Sequence, residues 1–122
     1  MSVLALKEFE SPPLAPVEAA IDLDHLSRMT LGERSLEREV LALFCRQGDI
    51  LLQRMETASP PVAAAAAHTL KGSALGIGAW RVARAADAVE QASAAVIEDA
   101  IGALSEAVDE AKMAIAGLLQ TH

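Results

Sequence analysis

Among the side chains of this 122-residue chain that can hold or transfer a chemical group, three histidines and one cysteine stand out. Cys45 has no partner for an internal disulfide and lacks the neighbouring Cys or His spacing of a zinc site, so it reads as a small packing hydrophobe. His122 is the last residue and His25 sits alone near an Asp-rich helix start; both read as exposed helix-end residues. His68 differs in what shares its helical face. At about 100° per residue, Lys71, Gly72 and Leu75 lie within about 60° of it, whereas Leu70, Ser73, Ala74 and Ile77 point broadly the other way. The imidazole therefore faces solvent while the core residues face in.

An outward imidazole suits nucleophilic attack and transient group carriage, and its surroundings fit that use. Ala64 and Ala65 one turn before it and Gly72 one turn after leave little side-chain bulk, so a second protein can approach closely. Glycine inside a helix is unfavourable, and room beside His68 for a group larger than imidazole is the simplest reason for Gly72. A phosphoryl group fits that description, with Lys71 to neutralise it. Between Glu56 and Asp87 the chain has no carboxylate but contains Lys71, Arg81 and Arg84, which predicts a locally positive window. Arg81 and Arg84 serve equally well as the solvated face of the following helix. Leu75 is either a docking contact or, as is commoner for leucine, covered by that helix. From the residues alone two readings stand: a phosphoryl carrier, or an exposed polar residue on an Ala-rich helix with Lys71 solvated and Gly72 marking a close helix contact.

The segment from His68 to Ala79 reads HTLKGSALGIGA. It resembles the signature of histidine-containing phosphotransfer (HPt) domains, roughly HxLKGSSxxxGA, matching at His68, Leu70, Lys71, Gly72, Ser73, Gly78 and Ala79. Ala74 replaces the second serine of the pattern, on the side of the helix that faces the core. The resemblance spans about residues 20–120 and includes Val89 and Glu90 in the place of a family Leu-Glu pair. It implies that a receiver domain presents an aspartyl phosphate, that His68 accepts the phosphoryl group, and that a second receiver takes it away. His68 is then nucleophile and carrier, Lys71 the electrostatic partner and Gly72 the space-maker. Ala64, Ala65, Leu75, Arg81 and Arg84 are docking or electrostatic candidates. The expected partners are response-regulator receivers, including that of a hybrid sensor kinase. No cofactor or metal is expected on this chain, since magnesium belongs to the receiver. No glycine-rich ATP-binding segment is present, so the donor is another protein.

The elements that must position His68 are helical. Apolar residues make up 52% of the chain but aromatics only 2%, so the apolar share falls on Ala, Leu, Val and Ile. Residues 1–16 end in SPPLAP and read as a mobile or loosely docked arm; residues 17–122 read as the folded domain. Asp22 predicts the N-cap of a short helix through Leu23, Leu26 and Met29 that Gly32 ends, with Val17 as the other possible start. A second helix runs from about Glu33 to Thr57, with Leu36, Val40, Leu43, Phe44, Leu51 and Met55 on one face. Ser59 and Pro60 open a third, which Gly76 and Gly78 end. The fourth carries Val82, Ala85, Val89, Ala92 and Val96, and the fifth Ile97, Ile101, Leu104, Val108, Ala111, Ile115 and Leu118. The sum is an all-α antiparallel up-down four-helix bundle with a short leading helix.

A net charge of −7 argues against nucleic acid, which requires clustered Lys and Arg. Lys7, Glu8 and Glu10 interrupt the first apolar run, and the uncharged stretch from Thr57 to Leu70 is short and holds Pro60 and Pro61. A cytoplasmic monomer without membrane insertion is expected. Two other classes compete: a helical adaptor that docks receivers without accepting phosphate, and a metal- or haem-binding bundle. The last fares poorly, because His68 has no carboxylate or histidine at i+3 or i+4.

Overall fold

The computed structural model describes residues 19–121 and contains five helices in the order α1 (Leu23–Thr30), α2 (Arg34–Thr57), α3 (Pro60–Ile77), α4 (Trp80–Gln91) and α5 (Ile97–Thr121). The arm over residues 1–16 and His122 lie outside the described residues. Helices α2 to α5 form the antiparallel bundle: α3 packs on α2 and α4, and α5 closes it against α4 and α2. The short α1 lies across the ends of α2 and α3.

Local chemistry explains the boundaries. The Asp22 carboxylate accepts from the backbone N–H of His25 at 3.1 Å and starts α1; Val17, the other possible start, lies outside the described residues. Leu31 and Gly32, both at positive φ, end α1, with the Gly32 N–H donating to Ser27 O at 2.9 Å. Pro60 and Pro61 occupy the first positions of α3, where a missing N–H costs nothing; the Ser59 side chain makes no capping bond. Gly78 ends α3 in the left-handed conformation, whereas Gly76 lies within the helix. The fourth helix stops at Gln91, short of the predicted Val96, which is exposed in the connection to α5.

One core runs the length of the bundle. From α2 it takes Leu41, Phe44, Leu51, Leu52 and Met55, with Gly48 at the crossing with α5. Leu36 and Leu43, predicted to share that face, are exposed. Both lie to one side of the buried stripe, and only the tertiary pairing selects which apolar residues of a broad stripe are covered. A Cβ at Gly48 would sit 3.5 Å from Val108 Cγ1, a measure of how near α5 passes. The residues that α3 and α4 bury are mostly small: Ala63, Ala66, Ala67 and Ala74 in α3, and Ala83, Ala86, Val82 and Val89 in α4. Small side chains let two axes approach toward the lower end of the usual 8–10 Å range.

The leading helix is fastened to the far end of α3. Asp22 N–H donates to Gly78 O at 2.9 Å, the Trp80 indole N–H donates to the Asp22 carboxylate at 3.0 Å, and His25 Nε2–H donates to Leu75 O at 2.9 Å. His25 is thus half-buried, its ring edge-on to Trp80 at 4.8 Å, and not the free helix-end residue expected. Gly78 is required here twice over, because its φ is +77° and a Cβ would come within 2.9 Å of Asp22. Gly78→Ala should therefore lower the unfolding free energy by about 1–3 kcal/mol. Gly76→Ala, a position with open space around it, should leave it unchanged or raise it by up to about 1 kcal/mol. Urea unfolding followed by Trp80 fluorescence measures both.

Candidate functional site

Leu70, Ala74 and Ile77 are buried in the bundle, which fixes the rotation of α3 and leaves His68 on its outer surface with 69% of its side chain exposed. Opposite it on α4, Val82, Ala86 and Val89 are buried, and that rotation brings Asp87 and Glu90 to the flank facing α3. The approach of the two helices lets these side chains meet. His68 Nδ1 lies 2.8 Å from Glu90 Oε2. Lys71 Nζ lies 2.8 Å from Glu90 Oε1 and 3.0 Å from Asp87 Oδ1. Glu90 is the hub: 18% exposed, it binds the imidazole with one oxygen and the ammonium with the other.

A carboxylate only accepts, so Nδ1 of His68 carries the hydrogen, which fixes the tautomer. In the neutral ring the lone pair then resides on Nε2, on the opposite edge from Glu90. The Lys71 ammonium, and after it the His68 hydrogen bond, hold the Glu90 carboxyl below its ordinary 4.5 despite its burial. Hydrogen bonds to Glu90 and then Asp87 raise Lys71 above its ordinary 10.5.

The remaining candidates separate into two groups. Ala65 and Gly72 are exposed and Ala64 is half-buried, and a Cβ built on Gly72 meets nothing within 4 Å. No packing contact demands glycine there. Leu75 is 45% exposed and is not covered by α4. It lines an open groove beside the site with Lys71, Ala83, Arg84, Asp87 and Ala88. Arg81 points away from His68 and pairs with Glu110 of α5 at 3.0 Å, so it does not belong to the site. The predicted positive window is also absent: Lys71 and Arg84 are balanced by Asp87 and Glu90, which come from a neighbouring helix and not from the chain on either side of His68. The sequence reading assigned no role to Asp87 or Glu90. Their i, i+3 spacing repeats that of His68 and Lys71, a signal that becomes informative once α3 and α4 are known to be neighbours.

Residues 39–114 match the Hpt domain family. The chain belongs to that family. Its fold is similar to the crystal structure of the histidine phosphotransferase ShpA from Caulobacter crescentus, with 28% identity, a TM-score of 0.69, and coverage of 84% of this chain and 93% of that one. No curated protein matches the sequence at a significant level. Membership of the Hpt family places the chain in two-component phosphorelay signalling. Among the described residues no helix is long and apolar enough to cross a membrane, and no three His, Cys, Asp or Glu side chains group as a metal site.

The pH behaviour of the hub follows from its partners. Because the Glu90 value is depressed, its stabilising contribution is fully present above its ordinary 4.5 and is lost as pH falls through the folded value. Because the Lys71 value is raised, its contribution is present below its ordinary 10.5 and is lost only above that. The network is therefore intact across neutral pH. In a carbon-detected NMR titration the Glu90 carboxyl should show a midpoint below 4.5, and the Lys71→Met substitution should move it upward.

Proposed function

We propose that the chain is a phosphorelay intermediate in which Nε2 of His68 takes a phosphoryl group from the aspartyl phosphate of one receiver domain and passes it to an aspartate of another. The observation that carries this reading is the hydrogen bond from His68 Nδ1 to Glu90 at 2.8 Å, on a ring whose other edge faces solvent. When Nε2 attacks phosphorus in line, a P–N bond forms, the P–O bond to aspartate breaks, and the ring becomes an imidazolium. The Glu90 carboxylate stabilises that developing charge through Nδ1–H. Lys71 holds Glu90 in place and supplies positive charge near the phosphoryl oxygens. Gly72 and Ala65, with the half-buried Ala64, leave space for the receiver, while Leu75 and Arg84 flank its approach.

Little else is required of this chain, since positioning and charge stabilisation dominate phosphoryl transfer and the magnesium ion belongs to the receiver. The receiver of a hybrid sensor kinase suits the donor role, and the chain acts as a cytoplasmic monomer without autokinase activity or a cofactor of its own. A docking adaptor would use the same surface but would have no use for a fixed Nε2 lone pair.

Incubation with a phosphorylated receiver domain tests the reading. The wild type should gain an acid-labile, base-stable label and His68→Gln none, with unchanged circular dichroism; full labelling of His68→Gln would refute the site. Glu90→Gln should slow transfer by about ten- to a hundredfold, since a hydrogen bond to a charged group is worth about 1.5–3 kcal/mol. Lys71→Ala should slow transfer without abolishing it. Gly72→Ala should gain up to about 1 kcal/mol of helix stability yet transfer more slowly, a combination that stopped-flow kinetics and urea unfolding together reveal.

A further inference from the structure

An ammonium group has three hydrogens to donate, and in this site Lys71 Nζ donates to Asp87 Oδ1 at 3.0 Å and forms an ion pair with Glu90 Oε1 at 2.8 Å. The two carboxylates differ in what else they do. Glu90 also binds His68 and is largely covered, whereas Asp87 makes no contact with the imidazole and its side chain is 48% exposed. Glu90 alone suffices to hold both His68 and Lys71, so the second carboxylate is not needed to orient the ring. What Asp87 does is occupy the cation on which a phosphoryl group at Nε2 would draw.

The phosphoryl group is a near-dianion and forms on the edge of the ring opposite Glu90. To approach it, Lys71 must loosen its hold on α4, and Asp87 opposes that movement. The charges lining the site, Lys71 and Arg84 against Asp87 and Glu90, sum to zero before the phosphoryl group arrives. A positive site would store the group; a neutral one makes the phosphorylated state less stable and the group easier to pass on.

We propose that Asp87 is a positioning residue that competes with the phosphoryl group for Lys71 and so keeps phospho-His68 at high transfer potential. The proposal rests on His68 being the phosphoryl carrier and adds to it a residue that sets the balance between loading and unloading. Asp87 does not touch the reacting atoms; it acts through Lys71.

The test needs no partner protein. Phosphoimidazole exchanges its phosphoryl group with a protein histidine: one P–N bond breaks, another forms, and free imidazole departs. The equilibrium ratio therefore compares the His68 environment with water directly, and phosphorus NMR of the full chain reads it. Asp87→Asn should raise the phosphorylated fraction ratio about three- to tenfold at low ionic strength, the size expected when one hydrogen bond of the Lys71 ammonium is released from Asp87 to the phosphoryl group. At about 1 M salt, where screening acts over roughly 3 Å, the gain should fall below about twofold. Asp87→Glu should restore the wild-type ratio, and Asp109→Asn, the same charge change on an exposed residue of α5, should leave it unaltered.

In a Lys71→Met background the effect of Asp87→Asn should disappear, since the residue it acts through is gone. Asp87→Ser serves as a second neutral variant, with Trp80 fluorescence confirming the fold. An unchanged or lower ratio in both neutral variants overturns the proposal, as does an undiminished effect without Lys71. Absence of any His68 label in the wild type would overturn the carrier reading with it, whereas equal labelling of wild type and variants overturns the role of Asp87 alone.

Discussion

The close packing of α3 against α4 is the constraint on which the site depends. Alanines at 63, 66, 67, 74, 83 and 86 make up most of what the two helices bury, and small buried side chains let the two backbones come near enough for a glutamate on one helix to reach a histidine on the other. With leucines in their place the axes would separate by an ångström or more, and a 2.8 Å bond between His68 and Glu90 would lengthen beyond hydrogen-bonding range. The Ala-rich composition therefore does more than favour helix: it sets the distance across which the functional side chains meet.

From that distance follows a division of labour around one carboxylate. Glu90 uses one oxygen to select the tautomer of His68 and the other to hold Lys71. The phosphate-binding sites of many proteins are strongly basic, but the surface around His68 is balanced. A carrier has to release its group as readily as it accepts it, and a surface that bound phosphate tightly would turn an intermediate into an end point. Exposure has the same logic. A buried histidine would be shielded from water but also from a receiver, to which the proposed reading assigns the metal and much of the electrostatic stabilisation.

The far end of α3 is secured by different means. Asp22 caps α1, bonds to the Gly78 carbonyl through its backbone and receives the Trp80 indole, while His25 reaches the Leu75 carbonyl. The last turn of α3 and the first of α4 are thereby tied to the leading helix. Leu75, exposed in the groove beside the site, has its backbone fixed by the same contacts. A surface that must meet another protein repeatedly benefits from a backbone that does not fray.

The linear chain determined a great deal. The periodic apolar residues specified four bundle helices and a short leader; Asp22, Pro60 and Gly78 specified boundaries; and the His68 to Ala79 segment carried the family resemblance, while local helical geometry alone turns His68, Lys71 and Gly72 to one face. Readings that failed were those that needed a neighbour. Leu36 and Leu43 have the spacing of core residues but miss the covered stripe, Arg81 turns to Glu110, and His25 gains a partner fifty residues away. The positive window counted along the chain is neutral in space, since Asp87 and Glu90 enter it from α4. Which ring nitrogen of His68 is free was beyond the sequence for the same reason. Local periodicity fixes the direction in which a side chain leaves its own helix, but only the packing of a second helix decides what it meets there.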